Sequence, residues 1–128
     1  MIFVDTNVVM YAVGGDHPLR REARAFFRET LERGDGLVTS AEVLQELLHA
    51  YLPVGRFESL DAALMLAEAR IPIVWPVERE DVRLARDLVG RHPGLGARDL
   101  LHLASCRRRR VHELKTFDRA LAAGFAAS

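Results

Sequence analysis

Apolar residues along this chain fall into short unbroken runs separated by longer stretches with helical spacing. Ile2-Phe3-Val4, closed by Asp5-Thr6-Asn7, predicts a buried strand and the turn after it. Residues 8–13 continue as a short helix up to Gly14-Gly15. Asp16 is the expected cap of the next helix, with Pro18 in its first turn. Leu19, Ala23, Phe26, Phe27 and Leu31 give that helix its apolar stripe, and Gly34-Asp35-Gly36 is a turn. Leu37-Val38 predicts a very short strand, and Thr39-Ser40-Ala41-Glu42 fits a capping box. The helix it opens carries Val43, Leu44, Leu47, Leu48 and Tyr51 and stops before Pro53. A further helix is expected over residues 57–70, with Leu60, Ala63, Leu64 and Ala67 inward. Residues 71–75, entered and left through Pro72 and Pro76, read as an edge strand, since proline cannot donate to a ladder. Residues 78–91 (Val82, Leu84, Ala85, Leu88, Val89) and 97–106 are helical by pattern, separated by a loop over 92–96. A strand over 111–116 and an alanine-rich helix over 119–127 complete the chain.

Strands alternating with helices predict an α/β fold: a mostly parallel central sheet flanked by helices on both faces. In open sheets of this kind, ligands bind beyond the carboxyl ends of the strands. Attention therefore falls on Asp5, on the turn and helix from Thr39 to Glu46, and on Asp118.

The 128 residues suit one domain, residues 1–128, and a chain that is 49% hydrophobic and 28% charged is ordinary for a globular protein. Cys106, the one cysteine, has no internal disulfide partner, which fits a reducing, cytoplasmic setting. Asp5 interrupts the first apolar run, so no signal peptide is expected, and no apolar run is long enough to cross a membrane. Eighteen acidic residues balance eighteen basic ones. A net charge of zero supplies no global field toward nucleic acid, so any such binding has to be local. Lys115 is the single lysine, and the other cations are arginines.

If the first and last strands are parallel neighbours, Asp5 and Asp118 leave the sheet on one edge. Glu46 and Asp99 can join them from helices. Carboxylates gathered in a cleft raise one another's pKa, and a hard divalent cation with oxygen ligands, magnesium or manganese, relieves the repulsion. Simpler readings stand beside this one. Asp5 suits a turn, Asp118 a helix cap, and Asp99 the favourable end of a helix dipole. Glu46 is least explained by a solvated face, whereas Glu42 already has a place in the capping box. The choice between Glu46 and Glu42 stays open at this point, with Glu46 preferred.

Val4-Asp5-Thr6-Asn7, the Leu44-Gln45-Glu46-Leu47 segment, the run from Ala97 to Ala104 and Thr116-Phe117-Asp118 together resemble the PIN-domain nucleases, and among them the VapC-type toxins of toxin–antitoxin pairs. The resemblance extends from Ile2 to Asp118, with all four acids in family order. It implies metal-dependent cleavage of RNA by Asp5, Glu46, Asp99 and Asp118. Asp5, Asp99 and Asp118 would hold Mg2+ or Mn2+, and Thr6, Asn7 and Thr116 would support the carboxylates. It also implies a cognate antitoxin as partner and a homodimer.

Substrate RNA would need cations beside these acids. Arg98, next to Asp99, is the arginine expected to meet phosphate. Arg20, Arg24 and Arg28 form one helical stripe, and Arg107 to Arg110 stand at a helix end, where cations are favoured without any ligand. Alternatives are a phosphatase of the haloacid-dehalogenase type, or an inactive domain that only binds RNA or protein. The first requires an acid where Asn7 stands. Glu46/His49 and Asp99/His102 share the i, i+3 spacing of di-iron helix bundles, but the interleaved strands do not suit that fold. His49 and His102 read as buried or rim hydrogen-bonders, and Cys106 as core.

Overall fold

The computed structural model describes Met1 to Ser128. Its elements, in chain order, are β1 (Ile2–Val4), α1 (Thr6–Val13), α2 (Pro18–Arg33), β2 (Leu37–Ser40), α3 (Ala41–Tyr51), α4 (Phe57–Arg70), β3 (Ile73–Trp75), α5 (Arg79–Leu88), α6 (Ala97–Arg108), β4 (Glu113–Lys115) and α7 (Arg119–Ala126). The strands form one sheet in the order β3-β2-β1-β4, and every pairing is parallel. Phe3 stands opposite Val38 on one side and Leu114 on the other, so β1 is central and β3 is the edge strand the prolines predict.

Alternation along three-residue strands divides the core in two. Val4 and Leu37 face the helices α1 to α4, among Val8, Phe27, Leu47 and Leu60. Phe3 and Val38 face the other way, onto Val43, Cys106 and Val111, with Phe125 of α7 packed against them. A third cluster, Ala85, Leu88, Leu100 and Leu103, joins α5 to α6. Helices thus cover both faces of the sheet.

Local chemistry sets several boundaries differently from the pattern. The α2 cap is His17, whose Nδ1 accepts the Leu19 N–H at 3.1 Å, and not Asp16. The helix closes at Gly34, whose positive φ of 71° lets its N–H reach the carbonyls of Leu31 and Thr30. The Thr39–Glu42 capping box does not form. β2 runs through Thr39 and Ser40, and the Thr39 hydroxyl donates to the Val4 carbonyl at 2.9 Å, tying β2 to the end of β1. Ile71 is buried, but the third strand begins only at Ile73, after Pro72. The last strand is the shorter Glu113–Lys115. Leu31 (64% exposed), Leu48, Val82 and Val89 lie on the surface, because each helix carries more apolar positions than its packed face accommodates.

Asp81 is 0% exposed and anchors the end of α6. It accepts from Arg108 Nη1 at 2.7 Å, Arg109 Nη1 at 2.8 Å and the Glu78 N–H at 2.9 Å. Arg109 also lies over the Trp75 ring, 5.0 Å from its centroid. These two of the four consecutive arginines are therefore structural. Burial alone would raise the Asp81 carboxyl, but the hydrogen bonds from Arg109, the Glu78 N–H and Arg108 hold it below the ordinary carboxylate range. A carboxyl lowered in the folded state stabilises the fold above its unfolded pKa of about 4, and that stability is lost as pH falls through the folded value. Asp81→Asn is expected to lower unfolding stability by about 3 kcal/mol at neutral pH. In urea titrations the gap from the wild type should narrow once the pH drops below about 4.

Candidate active site

Three helix N-termini and one helix face meet beyond the carboxyl ends of β1, β2 and β4. Asp5 follows β1 and caps α1, its Oδ1 accepting the Thr6 N–H at 2.8 Å. Asp118 caps α7, its Oδ1 accepting from the Ala120 and Leu121 N–H groups. Asp99 lies in the first turn of α6, and Glu46 projects from the middle of α3. The turn and cap readings of Asp5 and Asp118 are thus correct without excluding a site. Capping occupies one oxygen of Asp118 and leaves the other toward the cleft. All four acids line one depression of about 240 Å³, together with Thr6, Asn7 and Arg98.

The sheet register brings the supporting residues in. The Asp5 N–H donates to the Lys115 carbonyl at 3.0 Å, which sets Thr116 beside Asp5. The Thr116 hydroxyl donates to Asp5 Oδ2 at 2.7 Å, and Asn7 Nδ2 reaches the same oxygen at 3.3 Å. Asn7 Oδ1 in turn accepts the Phe117 N–H at 3.1 Å. The Thr6 hydroxyl donates to Glu46 Oε2. Thr6, Asn7 and Thr116 therefore hydrogen-bond the carboxylates of Asp5 and Glu46. Asn7 is engaged in this bracing and supplies no second acid, so the phosphatase arrangement is not built here.

His102 was legible only as a hydrogen-bonder, and the structure gives it a larger place. It is 1% exposed, and its Nε2 donates to Glu46 Oε1 at 2.9 Å while lying 3.7 Å from Asp5 Oδ1. Oxygens of Asp5 and Glu46 and a nitrogen of His102 lie within 4.8 Å of one another. Nothing in the spacing of residues 46 and 102 announces this pair, because a strand and several helices separate them. Glu42, by contrast, turns to Arg98, whose Nε is 4.0 Å from its Oε1. Glu46, not Glu42, is the glutamate in the cleft.

Burial raises the Asp5 carboxyl above its ordinary value, although His102, Thr116 and the Thr6 N–H oppose the shift. Asp99 is raised too, by burial and then by the negative charges of Asp118 and Asp5. Glu46 is the exception. Its burial is outweighed by hydrogen bonds from His102 and Thr6 and by the charges of His102 and Arg98, so it is held low. Burial works against charge on His102, but Glu46, Asp5 and Asp99 together raise its pKa. The cleft is a set of hard oxygen donors whose mutual repulsion is only partly offset by protein cations and by three helix N-termini.

Comparison with known proteins accords with this arrangement. The model of the PIN domain matches residues 2–124. The chain belongs to the PIN-domain family. It is 64% identical over 125 residues to Ribonuclease VapC23 of Mycobacterium tuberculosis, covering 98% of each chain. It is 41% identical over 119 residues to Ribonuclease VapC13 of the same species, covering 93% of this chain and 91% of that one. Among solved structures, it resembles M. tuberculosis VapC20, a sarcin-ricin loop cleaving toxin. The TM-score is 0.77 at 20% identity, over 96% of this chain and 94% of VapC20. It also resembles VapBC2 of Rickettsia felis, solved with a promoter DNA fragment, at a TM-score of 0.62 and 18% identity over 92% of this chain and all of that one. Both structural likenesses concern the PIN fold.

Crowded acids weaken the fold that holds them, so removing one charge from this PIN domain should stabilise it. Asp99→Asn is expected to raise unfolding stability by about 1 kcal/mol in the presence of EDTA at neutral pH, measured by chemical denaturation. A loss of stability would mean that the negative charge of Asp99 is compensated within the protein.

Proposed function

We propose that this PIN domain, spanning residues 1–128, is a metal-dependent endoribonuclease and the toxin of a type II toxin–antitoxin pair. The observation that carries the reading is the convergence of Asp5, Glu46, Asp99 and Asp118 in one cleft at the carboxyl end of the sheet. The similarity to proteins named ribonucleases supports it over nearly the whole chain.

The donor set fits a divalent cation. Its oxygens are hard ligands, the Asp99 carboxylate accepts no protein hydrogen bond, and both Asp5 and Asp99 are raised, by burial first and then by neighbouring negative charge. Asp5, Asp99 and Asp118 would hold Mg2+ or Mn2+. Such an ion, when bound, lowers the pKa of a water and offsets negative charge on the phosphate. Glu46, kept ionised by His102 and Thr6, orients the attacking water. Asn7 and Thr116 hold Asp5 in position, and Thr6 holds both Asp5 and Glu46. His102 positions Glu46 from beneath, in the manner of the outer partners that orient metal-site carboxylates. Arg98, exposed at the rim, receives a phosphate oxygen.

Two protein partners follow from the family reading. The VapC relatives and the R. felis VapBC2 assembly support a cognate antitoxin. An apolar depression of about 300 Å³ between α5 and α6, with Val82, Val89 and Leu101 in its wall, supports a homodimer. A single buried thiol with no disulfide partner supports a cytoplasmic site of action.

Cleavage of a labelled single-stranded RNA should require Mg2+ or Mn2+ and stop with EDTA. Asp5→Asn and Asp99→Asn should each lower kcat at least about a hundredfold. The same ions should raise the Tm of the wild type, and much less that of either variant. Undiminished RNA cleavage by both variants would remove the assignment.

A further inference from the structure

The acidic cleft does not end at its acids. Asn7 and Met10 of α1 line both that cleft and a neighbouring cavity of about 350 Å³. Tyr11 walls the cavity, and Asp16 and His17 belong to it as well. Those two residues also open onto a third depression, of about 360 Å³, whose other walls are Arg20, Arg21, Arg24 and Arg28. Shared walls make one continuous run: carboxylates, then an aromatic cavity, then arginines.

Each part has the chemistry of a nucleotide chain. The rings of Tyr11 and His17 lie 4.5 Å apart at 31°, and the Tyr11 ring is braced edge-on by Phe117 at 5.6 Å. A braced ring beside an open cavity is a stacking platform for a base. Arg56, exposed, lines the same cavity. Beyond it, Arg20, Arg24 and Arg28 recur once per turn, about 6 Å apart along α2. Arg24 Nε donates to the Ala12 carbonyl at 2.9 Å, which fixes the stripe against α1. None of these three arginines forms an ion pair with a carboxylate, whereas Arg108 and Arg109 are both bound to Asp81. A merely solvated stripe would need neither the adjoining cavity nor its aromatic wall.

We infer that this run is the path of single-stranded RNA away from the cleaved bond. One base stacks on Tyr11 and His17, and successive phosphates lie along Arg20, Arg24 and Arg28. The inference rests on the ribonuclease reading of the cleft. An acidic protein segment could match the arginines and, through an aromatic side chain, the cavity as well; RNA is favoured because the run starts at the carboxylate cleft where the bond would be cut.

Fluorescence anisotropy with a labelled single-stranded RNA of random sequence, in EDTA so that nothing is cut, tests the path. Changing Arg20, Arg24 and Arg28 together to alanine should weaken binding and reduce the slope of log affinity against log salt by about 2. A labelled dinucleotide, too short to reach the arginines, should bind the variant and the wild type equally. Tyr11→Leu should weaken RNA binding roughly tenfold with the slope unchanged, while Tyr11→Phe retains it. If Tyr11→Leu melts early, the arginine variant still decides the matter. Unchanged affinity and slope in the triple variant would overturn the path. So would a triple variant that keeps RNA but loses a co-purified antitoxin, since the stripe would then be a protein dock. Tight, slope-dependent RNA binding by a protein that cuts no RNA would retain the path and refute the ribonuclease reading instead.

Discussion

Keeping like charges close together is the constraint on which the rest of this molecule depends. Four carboxylates share one cleft, and burial and repulsion both work against the ionised forms of Asp5 and Asp99. The scaffold meets this with fixed donors. The Thr6 N–H, the Thr116 hydroxyl and the Asn7 amide converge on Asp5, while two N–H groups of α7 hold one oxygen of Asp118. Parallel pairing of β1 with β4 is what brings residues 5 and 116 together, so sheet topology and site chemistry have the same origin. His102 then separates the acids by role. It holds Glu46 low, while Asp5 and Asp99 stay raised and remain in need of a cation.

Arginine divides between two uses that the sequence does not distinguish. The run from Arg107 to Arg110 is the denser cluster, yet Arg108 and Arg109 are consumed by the buried Asp81 and by Glu78. The sparser stripe on α2 meets no carboxylate, and its Arg24 and Arg28 are exposed. Density of charge along a chain therefore indicates little about which cations meet a ligand. What decides is whether a buried carboxylate lies within reach.

Much of the architecture was legible because short apolar runs bounded by turns leave few alternatives. The order of strands and helices, the edge position of β3, the full extent of α4 and the shared edge of Asp5 and Asp118 all follow from local pattern and the rules of parallel sheets. What escaped was non-local. The Thr39 hydroxyl looks like a cap in sequence, but it serves the Val4 carbonyl across the sheet. Asp16 looks like a cap, but the His17 ring does that work. Leu31 and Val82 fit a helical stripe and still face water, since periodicity describes a face and not what covers it. In sequence Glu46 is favoured over Glu42 because a solvated face explains it least well and because Glu42 fits the capping box. The box does not form, and Glu46 is nevertheless the glutamate in the cleft, because its position on α3 carries it to Thr6 and His102. Nor did any signal connect Glu46 with His102, since their pairing exists only once α3 and α6 are folded around the sheet.

A net charge of zero acquires a physical meaning from this arrangement. The total cancels because eighteen acids match eighteen basic residues, some in local ion pairs such as Arg108–Asp81 and some apart, as the cleft acids are from the α2 stripe. At ionic strengths near 0.1 M the Debye length is about 10 Å, so a polyanion at a distance sees a neutral particle. Only a chain already at the surface meets the separate fields: arginines that attract its phosphates, and acids that repel them. An uncompensated carboxylate cleft would by itself reject a phosphodiester. Cations around it, a metal ion held within and guanidinium groups outside, would convert that repulsion into a requirement that the substrate be held at several points before its bond can reach the acids. On the proposed reading, selectivity for a particular RNA would rest on short-range fit along the surface rather than on attraction from a distance.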